Sequence, residues 1–114
     1  MNLSRYAGLL ICLTFGVANS YAGEIRLRAT DGQSLSAVHE ASSNSKKGVV
    51  LVHMDGGSSQ DWEFFAGRLK RTGFQTLSVD LRGHGASRLS RGQLSREDYQ
   101  KMRSDVDAAI NWLV

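Results

Sequence analysis

The sequence predicts an α/β fold: a mostly parallel sheet with flanking helices, led by an antiparallel hairpin. Three observations predict it. "GVVLVH" (48–53) is an apolar run with no polar interruption up to its histidine, the pattern of a parallel strand buried on both faces. Trp62, Phe65, Ala66 and Leu69 then fall at i, i+3, i+4 and i+7, the spacing of one helix face. "FQTLSVD" (74–80) returns to a strand pattern. Residues 48–80 therefore form one strand–helix–strand unit, with a right-handed crossover expected.

The elements follow in chain order. Residues 1–22 have the layout of a secretory signal peptide: Arg5 gives a positive start, "AGLLICLTFGVA" (7–18) is uncharged, and Ser20 and Ala22 occupy the small-residue cleavage positions. A membrane anchor is the alternative, but the run is shorter than the roughly 18 apolar residues that a span requires. A lipid anchor on Cys12 is disfavoured by Ile11, which stands where a small residue should precede the cysteine. Residues 23–114 are then the exported domain, secreted or periplasmic, with no membrane contact after cleavage. The only cysteine leaves with the leader, so this domain relies on its own core or on a partner rather than on disulfides.

"EIRLRA" (24–29) alternates apolar and charged residues, Asp31-Gly32 signals a turn, and "QSLSAVHEA" (33–41) continues the alternation. This predicts a hairpin, with His39 facing solvent. "SSNSKK" (42–47) is a polar loop. Ser58 with Asp61 forms a capping box for the first helix. Arg68, Lys70 and Arg71 in its last turn suit the dipole, and Gly73 is its C′ residue. "LRGHGASRLSRGQL" (81–94) is a long loop. Ser95 with Asp98 caps a second helix, whose apolar stripe is Tyr99, Met102, Val106, Ala109, Ile110 and Leu113.

Composition narrows the function. With 114 residues there is room for one domain at most. A hydrophobic content of 41%, a charged content of 22% and a net charge of +3 are ordinary for a globular protein and call for neither nucleic acid nor an anionic membrane. Arg82, Arg88, Arg91 and Arg96 make the second loop basic, but they lack the interleaved aromatics that stack bases. Three scattered histidines, with no cysteine outside the leader, offer no metal spacing. Gly83-x-Gly85 lacks the third glycine of a dinucleotide fingerprint, and no phosphate-loop lysine follows Gly56-Gly57. No cofactor is expected.

Ligands of open parallel sheets gather where strands end. Two loops qualify, "HMDGGSSQDW" (53–62) and "DLRGHGAS" (80–87). Their glycines permit tight turns that expose backbone N–H groups, and such groups stabilise a bound or developing anion. His53 before a glycine-bearing loop, the pair Asp61-Trp62, and Asp80-x-Arg82-Gly83-His84-Gly85-x-Ser87 resemble the amino-terminal half of an α/β-hydrolase, and the order of elements agrees over nearly all of residues 23–114. The resemblance implies an ester- or amide-hydrolysing parent with a small-molecule substrate. It also implies that the first loop supplies half of an oxyanion hole through the backbone N–H of Met54 or Asp55. His53, Gly56, Gly57, Asp80, Arg82, Gly83, His84 and Gly85 would organise the loops around it. From the residues themselves, Asp80 and Arg82 are expected to pair and fix the two loops together.

There are two departures. Met54 replaces the glycine common after the histidine and does not suit a positive φ, so the turn should close on Gly56 and Gly57, with the Asp55 carboxylate pointing away. The Gly-x-Ser-x-Gly of a nucleophile elbow, and the acid and histidine that complete a triad, do not occur in this sequence. Ser58, Ser59 and Ser87 are read as cap and turn residues rather than nucleophiles with His84 as base, and His53 as a hydrogen-bonded loop organiser. The expectation is thus an amino-terminal fragment of an exported α/β-hydrolase, inactive alone, with "VVLV" exposed as a sheet edge. The competing expectation is a non-catalytic module that completes its sheet with a partner chain.

Overall fold

The computed structural model describes residues 23–42, 46–89 and 92–114; the predicted leader, 1–22, lies outside the described residues. Strands β1 (Gly23–Arg28), β2 (Ser34–Glu40), β3 (Gly48–Val52) and β4 (Gln75–Val79) form one sheet in the order β1-β2-β4-β3. The β1–β2 and β2–β4 pairs are antiparallel, and β3–β4 is parallel. A 3-10 turn (Ser59–Trp62) leads into helix α1 (Glu63–Arg71), and helix α2 (Arg96–Leu113) closes the chain.

The hairpin turns where Asp31-Gly32 predicts it. Gly32 takes φ 90° and donates its N–H to the Ala29 carbonyl at 2.9 Å. Both capping boxes form. The Ser58 N–H donates to Asp61 Oδ2 at 3.1 Å while its hydroxyl accepts from the Gln60 N–H at 3.3 Å. Ser95 and Asp98 exchange the equivalent bonds at 2.8 and 3.2 Å. Gly73, at φ 96°, follows the end of α1 as the C′ residue.

Alternation along the strands sends Leu27, Leu35, Ala37, Leu77 and Val79 to one face, where Ala109 of α2 completes a buried cluster. Met102, Val106 and Leu113 pack around it. The opposite face presents Thr76 and Ser78 beside Ala66 of α1. The sheet thus lies between one helix on each face, and the strand ends that carry the two glycine loops are held by a single core.

Three expectations are corrected. First, β3 is not buried on both faces: Leu51 is buried, but Val49 and Val50 are half-buried and Val52 is 37% exposed. Among the described residues β3 pairs with β4 only, so its other edge has no neighbour to shield it. Second, His39 is not a solvent-facing residue. It is half-buried, lies against the edge of the Trp112 ring at 4.8 Å and meets Gln75 Oε1 at 3.0 Å, because the end of α2 crosses the sheet there. Third, Tyr99 and Ile110 remain 46% and 45% exposed although they lie on the predicted stripe. The core side of α2 also buries two acids, Asp98 and Asp105, for which apolar periodicity has no signal.

Candidate active site

The first loop leaves β3 at His53, which is buried. Its Nε2 accepts the Leu81 N–H at 3.1 Å, and its Nδ1 reaches the Met54 carbonyl at 2.8 Å. An imidazole that accepts at Nε2 carries its proton on Nδ1, so His53 is neutral with both nitrogens committed. It ties the end of β3 to the loop after β4. The next turn closes on the glycine pair: the Gly57 N–H donates to the Met54 carbonyl at 2.9 Å with Gly56 at φ 81°. This is the type II pattern, which places glycine at the third position. The Gly56 N–H is taken by His84 Nε2 at 3.0 Å. The backbone N–H groups of Met54 and Asp55 make no hydrogen bond among the described residues. The Asp55 side chain is 71% exposed. Beside this loop, Val52, His53, Met54, Asp61 and Trp62 line an open cleft of about 440 Å³.

In the second loop each polar side chain reaches a different element. Asp80 accepts the Ser59 N–H at 2.7 Å and the Ala86 N–H at 3.0 Å, so one carboxylate joins both loops. Gly85 must be glycine: it sits at φ 49°, and a Cβ there would lie 2.5 Å from the Asp80 carboxylate. Gly83, at φ 80°, faces Leu94 in the same way. Ser87 is buried, and its hydroxyl accepts the Ser36 N–H at 2.7 Å.

Arg82 does not pair with Asp80. It meets Asp105 through Nη2 at 2.7 Å and Nε at 3.1 Å, and Asp31 through Nη1 at 2.7 Å and Nη2 at 3.0 Å. Its backbone N–H also donates to Asp105, at 3.0 Å. Asp31 and Asp105 are site-supporting residues that the sequence reading missed; no short-range pattern marks an acid 51 or 23 residues from its partner. The two carboxylates strengthen the hold of the guanidinium on its proton. In return, the hydrogen bonds from Arg82 lower the Asp31 pKa from 3.8 to about 2.

That depression sets a pH dependence. A carboxyl with a lowered folded-state pKa adds stability that is complete above its unfolded value and is lost as pH falls through the folded value. The stability gap between the native chain and Asp31→Asn is expected to be constant above about pH 5 and to close toward about pH 2. Urea unfolding across that range measures it, and a gap that persists at the acid end would refute the ion-pair assignment.

Ser58 is a helix cap, Ser59 is buried with its N–H on Asp80, and Ser87 receives a backbone N–H. No group of three His, Cys, Asp or Glu side chains suited to a metal occurs among the described residues, and none of their helices is long and apolar enough to cross a membrane.

A partly parallel sheet with a helix on each face and two glycine loops at its strand ends defines the amino-terminal part of an α/β-hydrolase fold. The family model for serine aminopeptidase, S33, matches residues 43–114, and the chain belongs to that family. Among solved structures, it is similar to the esterase EaEST from Exiguobacterium antarcticum, at 26% identity and TM-score 0.66, over 80% of this chain and 32% of that one. An esterase from Pyrococcus furiosus matches at 24% identity and TM-score 0.64, over 83% and 37%. Epoxide hydrolase A from Mycobacterium thermoresistibile matches at 21% and 0.67, over 82% and 28%. The chain thus spans roughly a third of the length of the structures it matches. A comparison with curated proteins gives no match.

Proposed function

We propose that this chain is the amino-terminal part of an exported α/β-hydrolase that cleaves ester or amide bonds, and that it does not run the reaction alone. In this reading the first loop contributes half of the oxyanion hole. The supporting observation is the geometry of residues 53–57. His53 and His84 pin the turn from two sides, the bend falls on Gly56-Gly57, and the Met54 and Asp55 N–H groups make no hydrogen bond among the described residues. Fixed donors of this kind stabilise the oxygen charge that develops in acyl transfer. The Asp55 side chain is 71% exposed, and its Oδ1 is turned to His84 Nε2 at 3.1 Å. The nucleophile, its base and the second donor would come from segments that this sequence does not contain. The leader pattern of residues 1–22 supports export.

Hydrolysis of a short-chain nitrophenyl ester tests the reading. The 114-residue chain is expected to show no turnover above buffer. A version extended through a downstream Gly-x-Ser-x-Gly strand is expected to turn over and to be blocked by a serine-directed inhibitor. Inhibitor-sensitive turnover by the short chain would overturn it. The open edge of β3 favours a second reading, a non-catalytic module that completes its sheet with a partner chain; a stable, monodisperse and inactive species on sizing would support it.

A further inference from the structure

The Nε2 atom of His84 faces two groups with opposite requirements. The Gly56 N–H, at 3.0 Å, needs an acceptor. The Asp55 carboxylate oxygen Oδ1, at 3.1 Å from the same nitrogen, needs a donor. One imidazole nitrogen serves the first when bare and the second when protonated, and cannot serve both at once. The other nitrogen is already assigned: Nδ1 lies 3.1 Å from the Arg82 carbonyl, which only accepts, so it carries a proton in either state. The neutral ring therefore holds Gly56, and the imidazolium holds Asp55.

The surroundings leave this nitrogen as the point of choice. His53, whose ring centre is 4.8 Å away, has both of its own nitrogens committed. The Arg82 guanidinium is turned to Asp31 and Asp105, and Asp80 to the N–H groups of Ser59 and Ala86. Arg88 Nε reaches the Gly85 carbonyl at 3.4 Å. From α2, the Tyr99 hydroxyl comes within 3.4 Å of the same Asp55 oxygen, and that carboxylate raises the tyrosine pKa after the larger effect of desolvation. His84 itself is buried, while Asp55 is exposed. The exposed partner gives solvent protons a route to a ring that is otherwise enclosed.

We propose that His84 is a proton-operated positioning residue for residues 54–57. When neutral it fastens the Gly56 N–H; on taking one proton from solvent at Nε2 it releases that N–H and binds the Asp55 carboxylate. The exchange turns the 3.1 Å approach of the carboxylate into a charge-assisted hydrogen bond and releases the Gly56 end of the turn that presents the Met54 and Asp55 N–H groups. The loop exchange stands on hydrogen-bond stereochemistry alone; its effect on catalysis rests on the oxyanion reading above.

Nitrogen-15 NMR of the full chain tests it on either side of the ordinary histidine range, at about pH 8 and about pH 5. At the higher pH a coupling through the hydrogen bond between the Gly56 and His84 Nε2 nitrogens is expected, with the His84 proton on Nδ1. At the lower pH the coupling disappears and an exchange-protected Nε2–H signal replaces it. In Asp55→Ala the coupling at the higher pH remains, while the protected signal at the lower pH is lost. A coupling present at both pH values or at neither, or a protected signal that survives in Asp55→Ala, would overturn the proposal. Failure here leaves the oxyanion reading standing, because ester turnover by the extended chain tests that separately.

Discussion

Replacing Asp105 with alanine is expected to destabilise the chain by about 3–5 kcal/mol, the usual cost of stripping one partner from a buried ion pair. The side chain of Asp105 has no solvent exposure, and that of Arg82 has 3%. The guanidinium would keep Asp31, whose side chain is 31% exposed, and a long 3.4 Å bond to Ser104 Oγ, and the Arg82 backbone N–H would lose its acceptor. Arg82→Met should cost a similar amount, since it leaves the Asp105 carboxylate buried without its cation. Combining Arg82→Met with Asp105→Leu should recover most of the loss, because an apolar pair of similar volume removes both desolvation penalties. Recovery stops short by the cost of the orphaned Arg82 N–H, about 1–3 kcal/mol. Urea unfolding followed by circular dichroism reads all three variants. If the double variant is as unstable as the sum of the singles, the buried charges are not the source of the effect.

Gly85→Ala is expected to be nearly as damaging, by about 3–5 kcal/mol from backbone strain and lost hydrogen bonds together. The residue lies at φ 49°, where a side chain is strained, and the new methyl would collide with the Asp80 carboxylate. That carboxylate cannot retreat without releasing the Ser59 and Ala86 N–H groups, which it binds at 2.7 and 3.0 Å. The two loops would come apart at the point where they are joined. Gly32→Ala is the control: it has φ 90° but open space around its Cβ position, so it should cost only the backbone term, about 1–2 kcal/mol. Asp80→Ala removes the same two bonds without a collision. Its effect and that of Gly85→Ala should therefore fall well short of adding in the double variant, since residues sharing one contact couple. Additive losses would show that the collision with Asp80 is not what makes this position intolerant.

These two clusters mark the limit of what short-range pattern reveals. The strands, both capping boxes, the hairpin turn at Gly32 and the bend at Gly56-Gly57 were all legible, because each is specified by residues a few positions apart. The glycines of "DLRGHGAS" were legible as turn residues, but the reason Gly85 must be glycine is the carboxylate of Asp80 folded back against it. The pairing of Asp80 with Arg82 followed from their proximity in sequence and failed. Asp80 has backbone N–H groups from both loops within reach, and Arg82 is long enough to span from the hairpin turn to α2. His39 read as solvent-facing because alternation cannot foresee that Trp112, on an element far along the chain, will lie over it.

The sequence by itself determined the order and type of the elements, the turns and caps that bound them, and the two glycine loops at the strand ends. Those features rest on backbone conformation and on period-2 or period-3.6 burial, which neighbouring residues decide. Only the tertiary structure decided the partners of Asp31, Asp80, Arg82, His84 and Asp105, and the two competing claims on one nitrogen of His84. Those depend on which distant groups the folded chain brings within about 3 Å, where a hydrogen bond forms. A linear pattern carries no record of that distance.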